Sequence, residues 1–137
     1  MSASKIPIIL EHNGDIPLVE IRHIFRSGAS LEPAELAGIG RIALRLLRRG
    51  TASMGRKELD AAIDGIAALM SAQATPDFFA LHLRVLRKYL DHAVELFQQV
   101  LSEPALDVDE LERLKRETLA EIVTARDDDR QIGRAHV

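Results

Sequence analysis

The chain contains no cysteine and no tryptophan, and only one tyrosine and four phenylalanines in 137 residues. Without cysteine it has no disulfides and no thiolate metal site, so redox compartment is left open. Aromatics at 4% supply few rings for stacking bases, which argues against a single-stranded nucleic-acid platform. Charge of neither sign dominates: 18 Lys and Arg stand against 21 Asp and Glu, a net of −3, so no basic field surrounds the chain as a whole. No apolar run approaches the roughly 20 residues that cross a bilayer. Met1 to Lys5 leads straight into a short apolar segment rather than the longer apolar core of a secretory signal. A soluble protein is expected, cytoplasmic or periplasmic. What is present is 47% hydrophobic and 28% charged, an ordinary mixture for one modest globular domain.

The most informative stretch is Gly38 to Thr51, G-I-G-R-I-A-L-R-L-L-R-R-G-T. Ile39, Ile42, Ala43, Leu46 and Leu47 share one side of a helical wheel, and Arg41, Arg45, Arg48 and Arg49 gather on the other. Pro33 suits a first helical turn, and Gly50 suits a left-handed helix end, so one helix is expected from Pro33 to Arg49. Before it, Lys5–Leu10 is a short apolar run, His12-Asn13-Gly14-Asp15 is turn chemistry, and Ile16–Arg26 alternates as a strand. Together these predict a β-hairpin.

After it, Met54–Ala67 reads as a helix with Leu59, Ala62, Ile63 and Ile66 inward. Ala68–Thr75 fits helix or strand by periodicity alone. Phe78–Leu86 alternates clearly as a strand, with Phe79, Leu81, Leu83 and Val85 on one side. Tyr89–Ser102 is helical, with Leu90, Ala93, Val94, Phe97, Val100 and Leu101 inward, and Pro104 ends it. Asp107 and Glu110 have the spacing of a capping box. They open a long helix to about Arg126 that is expected to bury Leu111, Leu114, Thr118 and Ile122.

The frame G-[IL]-x10-G-T, preceded by Arg26-Ser27-Gly28, resembles the N-terminal region of the M16 metallopeptidases, the insulinase, pitrilysin and mitochondrial processing peptidase family. The resemblance covers about Ile6 to Asp129 and makes Ala68–Thr75 a strand. It implies an α+β fold, helices packed on a largely antiparallel sheet as in the family's metallohydrolase sandwich, here truncated. Residues 1–131 would be an incomplete N-terminal portion of the domain. Residues 132–137, Ile132-Gly133-Arg134-Ala135-His136-Val137, read like one translated frame of a sequencing-adapter oligonucleotide and are expected to be a non-native tail. An incomplete sheet leaves open edges, which predicts marginal solubility for the isolated piece.

Active members of that family carry H-x-x-E-H within this frame, two zinc-binding histidines and a glutamate that activates water. The aligned positions here hold Arg41, Leu44 and Arg45. A guanidinium stays protonated and has no lone pair to give a metal, and leucine is no base. No catalytic residue is therefore expected. The family's third ligand is a glutamate about 75 residues beyond the second histidine, and Glu121 matches it. One carboxylate beside two arginines is a poor zinc site, so no metal is expected in this segment. Glu121 is expected either to pair with Arg41 or Arg45 or to be a solvated surface carboxylate.

The basic stripe Arg41, Arg45, Arg48 and Arg49 is by default a solvated helix face. Under the resemblance it faces the chamber between the halves of a clamshell, where Arg41 and Arg45 would bind acidic side chains or C-terminal carboxylates of a peptide. His12 and His23 read as loop and strand surface. His82 with Arg84, and Asp91-His92 with Glu95, read as surface decoration, and Asp127-Asp128-Asp129 as a solvated helix exit. There is no supported Ser/His/Asp set and no phosphate-binding glycine loop.

The leading expectation is a non-catalytic M16-type unit. It would pair with an active zinc metallopeptidase unit and help form the peptide-binding chamber, with zinc in the partner only. The alternatives are a longer zinc metalloendopeptidase with an intact H-x-x-E-H in another repeat, and a structural scaffold subunit of the kind found in respiratory complexes.

Overall fold

A computed structural model describes residues 6–135, with side chains described through Asp127. The elements run β1 (Leu18–Phe25), α1 (Ile39–Leu46), α2 (Arg56–Gly65), β2 (Leu69–Ala74), β3 (Phe79–Leu86), α3 (Leu90–Ser102) and α4 (Val108–Ala135). The architecture is α+β, with helices packed on a three-stranded antiparallel sheet of order β1-β3-β2.

β3 is central because it can bury both of its edges and one whole face. Its register with β1 pairs Leu18 with Leu86 through to Phe25 with Phe79, and β2 joins it by the turn at Thr75–Phe78. The Thr75 hydroxyl holds that turn, donating to the Phe78 carbonyl at 2.8 Å and accepting the Phe78 N–H at 3.0 Å. Alternate side chains point to opposite faces. Leu81, Leu83 and Val85 meet Leu59 and Ile63 of α2 and Ala93, Leu96, Phe97 and Val100 of α3. On the opposite face Arg84 pairs with Glu20 directly across the ladder.

Several expectations are corrected. Ile6–Leu10 forms no strand, and Ile8, Ile9 and Leu10 are almost fully exposed. The hairpin partner of β1 is instead β3, some sixty residues away, because β3 offers a long apolar ladder that an isolated hairpin lacks. The helix expected over Pro33–Arg49 is broken: Ala34–Leu36 is a short 3-10 turn, and α1 starts only at Ile39. Gly38 causes the break at φ +91°, a left-handed conformation that closes one turn and redirects the chain before the next.

The Glu32 carboxylate then caps the new helix, accepting the N–H groups of Gly38 at 2.6 Å and Gly40 at 2.7 Å. Gly50 has φ +139° and ψ 165°, an extended backbone open to glycine rather than the expected left-handed helix end. Gly28 is required for a different reason. A Cβ there would collide with the Pro76 carbonyl, where the chain after β1 crosses the β2–β3 turn.

The inward faces also shift. On α1 the buried residues are Leu44 and Leu46, while Ile39 and Ala43 are exposed, because this helix has neighbours on two sides. On α3 Leu96 is buried and Val94 is exposed. On α4 Leu114 and Thr118 are buried as expected, whereas Ile122 lies beyond the packed part of the helix. α4 continues to Ala135 rather than stopping near Arg126. The side chains of Asp128 and Asp129, and residues His136 and Val137 of the expected tail, lie outside the described residues.

Candidate functional site

The site lies where α1 crosses α4 beside β2. The two helices run antiparallel, so residues rising along α1 meet residues falling along α4. Arg45 grips Glu121 with both ends of its fork, Nη2 to Oε1 at 2.9 Å and Nη1 to Oε2 at 3.1 Å. Its Nη1 also donates to the Thr118 hydroxyl at 3.1 Å. Arg41 reaches the same carboxylate at 3.4 Å. One turn on, Arg49 donates to Glu117 at 2.5 Å and lies 3.5 Å from Glu110. Glu110 is shared further with Arg56 at 3.5 Å and Arg113 at 3.3 Å. The Asp107 carboxylate accepts the Glu110 N–H at 2.9 Å, one half of the expected capping box. The other half is missing because the Glu110 side chain is drawn to the arginines.

The basic stripe is therefore not a solvated face. Side-chain exposure falls from 55% at Arg41 to 26% at Arg45 on α1 and to 11% at Arg49 in the 3-10 turn that follows it, so each of these three is buried more deeply than the one before. The hydrogen bond from Arg49 holds the Glu117 carboxyl below its usual range, with some opposition from burial. Arg48 differs from its neighbours. Burial lowers its pKa from the usual guanidinium value, with Asp60 acting in the opposite sense. Its Nε is buried without a hydrogen-bond partner among the described residues.

These side chains open onto a cleft of about 820 Å³ between α1 and β2. Five arginines line it (Arg41, Arg45, Arg48, Arg49 and Arg56), with Leu44, Asp60 and Glu121. The opposite wall is Ser71–Ala74 of β2. β2 pairs with β3 on one side only, so its outer edge keeps a row of backbone donors and acceptors with no partner in the described sheet. A cleft with a free strand edge on one wall and guanidiniums on the other can hold an extended polypeptide.

Of the residues singled out in the sequence, Arg41, Arg45 and Glu121 come together and Leu44 is buried beside them. This set does not fit a zinc ion: both arginines occupy the Glu121 oxygens as donors, and neither offers a lone pair. Among the described residues no group of three or more His, Asp or Glu side chains is gathered to hold a metal.

The remaining candidates lie elsewhere. His12 is exposed. His23 is half-buried, its ring edge-on to Phe25 at 4.7 Å between centroids. His82 is half-buried on β3, where desolvation and Arg22 hold its pKa below the usual imidazole value against Glu20. His92 approaches Glu95 at 3.9 Å in the open. Glu110, Glu117, Arg56 and Ser71–Ala74 were missed. The i, i+7, i+11 spacing of Glu110, Glu117 and Glu121 on one face of α4 was a usable signal, because read backwards its steps of 4 and 7 match those of Arg45, Arg49 and Arg56.

The family model described as Insulinase (Peptidase family M16) matches residues 7–137. The chain belongs to peptidase family M16. The chain is 24% identical over 128 residues to the Helicobacter pylori protein described as non-peptidase homolog YmxG, covering 93% of this chain and 30% of that protein. A solved M16 inactive domain from Pseudomonas fluorescens superposes with a TM-score of 0.72 at 26% identity, over 78% of this chain and 26% of that one. A protease from Helicobacter pylori superposes with a TM-score of 0.71 at 19% identity, over 77% and 25%, a likeness of fold alone. The chain thus spans a quarter to a third of the length of these proteins. No helix among the described residues is long and apolar enough to cross a membrane.

Proposed function

We propose that this chain is a non-catalytic M16 unit that pairs with a zinc-bearing catalytic M16 unit and supplies one wall of the peptide chamber. One observation carries the reading. At the positions aligned with the family's zinc ligands, Arg41 and Arg45 close on Glu121 and cross-link α1 to α4. A bidentate Arg–carboxylate bridge can join two helices as a shared metal would, but it neither polarises a carbonyl nor activates water. The relatives described as a non-peptidase homologue and an inactive domain support the same reading. Zinc and hydrolysis belong to the partner. The free edge of β2 and the cationic wall of α1 belong to the grip on the substrate, a peptide segment in extended form.

The test is to purify the full-length polypeptide that contains this chain, alone and co-expressed with an M16 protein carrying intact H-x-x-E-H. The expected result is a stable complex whose zinc and peptide hydrolysis both require the partner's motif. Stoichiometric zinc with peptide cleavage by the lone polypeptide would overturn the proposal. A stable complex with no peptide binding would favour a scaffold instead.

A further inference from the structure

The cleft holds more guanidinium charge than its surroundings neutralise, and the excess sits on one residue. Four carboxylates pair with these arginines: Glu121 takes Arg41 and Arg45, Glu117 takes Arg49, Glu110 takes Arg49 and Arg56, and Asp60 lies 3.8 Å from Arg56. Arg48 alone of the five has no ion pair among the described residues, although it lines the same cleft and its Nε is cut off from water. A half-buried cation without a partner is costly, and folding has not removed the cost by supplying one. Asp60 and Asp64 lower the repulsion around Arg48 from a distance, while Arg49 and Arg56 raise it.

We infer that Arg48 is the anchor for a carboxylate of the peptide held in this cleft, which makes the site selective for segments with an acidic side chain. The inference rests on the chamber reading above and adds its substrate class. It also moves the anchor away from Arg41 and Arg45, whose hydrogen bonds are already committed to Glu121. Across the cleft Ser71, Ala72 and Ala74 are small, so Gln73 is the one long side chain on the wall from which a strand laid there would bring a carboxylate toward α1. A guanidinium already stripped of part of its water gives a stronger charge-assisted hydrogen bond than one on the open surface.

The experiment measures fluorescence anisotropy of three labelled heptapeptides with the full-length polypeptide. Each peptide alternates threonine and valine around a central glutamate, glutamine or lysine. The glutamate peptide is expected to bind about tenfold more tightly than the glutamine peptide at low ionic strength. The lysine peptide should be weakest, and added salt should shrink the spread. Arg48→Gln should abolish the preference for glutamate over glutamine, and Arg48→Lys should keep part of it. The glutamate-to-glutamine comparison in the unaltered protein needs no variant, so it stands even where Arg48→Gln fails to fold.

Equal affinity for the glutamate and glutamine peptides would overturn the anchor and leave the chamber reading intact. A preference that survives Arg48→Gln but is lost in Arg41→Gln would overturn it in favour of the Glu121 end. Failure to bind any of the three, both alone and in complex with the catalytic M16 unit, would sink both readings.

Discussion

α2 and α3 are joined to the sheet by apolar contacts, whereas α1 is joined to α4 largely by charge. In the first region Leu59, Leu81, Leu83 and Val100 are buried almost completely. Their union is non-directional and scales with area. In the second region Arg41, Arg45 and Arg49 meet Glu121, Glu117 and Glu110, with Leu44 and Leu114 buried on the two helices. Exposed ion pairs contribute little to stability, because water and salt compete for both charges. The charged contact is directional instead. It sets the spacing of the two helices and leaves a polar cleft beside them. The lesson is a division of labour: the apolar side holds the domain together, and the polar side shapes a surface for something else.

The sharpest way to break this contrast is to damage the apolar side. Leu59→Ala leaves a cavity at a position with no exposure and should cost about 3–4 kcal/mol in denaturant unfolding. A cost below about 1 kcal/mol would mean that α2 is not part of the cooperative unit.

On the polar side the largest effect should come from Arg49→Met, because Arg49 is the least exposed of the paired arginines and its loss strands Glu117 and part of Glu110. We expect about 2 kcal/mol near neutral pH. The same pair has a pH signature. Arg49 depresses the Glu117 pKa in the folded state, so its contribution is present above the unfolded glutamate value of about 4.3 and is lost as pH falls through the lower folded value. The penalty of Arg49→Met should therefore shrink between pH 7 and pH 3. A penalty that is constant with pH would show that packing of the side-chain stem, not the charge, is what counts.

The smallest effect should come from Glu121→Gln. This carboxylate is about half exposed, and its loss should cost less than about 1 kcal/mol, read as a shift in denaturant midpoint at constant slope. A loss as large as that of Arg49→Met would mean that the cross-link at the aligned ligand positions holds the domain together, and would erase the contrast between its two ends.

Most of the scaffold was legible in the residues. The alternation of Phe79, Leu81, Leu83 and Val85 and the spacing of Leu59 with Ile63 each report a face that must be buried, and burial follows from local periodicity. The 76-residue separation of Arg45 and Glu121 was legible only through a family frame, and of the two outcomes it left open, ion pair or solvated carboxylate, the ion pair is formed. What failed was the beginning of the chain, where Ile6–Leu10 has strand composition but no strand beside it. The helix from Pro33 failed as well, because a glycine at φ +91° and a glutamate reaching from Glu32 act across a turn that periodicity does not see.

By itself the sequence determined which residue types stand at the aligned metal positions, and arginine there excludes ligation whatever the fold does, since the chemistry of a guanidinium is intrinsic. It also determined which stretches become helices and strands over most of the chain, since those depend on neighbours three or four residues away. Only the tertiary structure decided which carboxylate each arginine meets, that β1 pairs with β3, and that Arg48 is left over. Those outcomes depend on groups far apart in the chain arriving within a few ångströms of one another, and an electrostatic pair has no energy until they do.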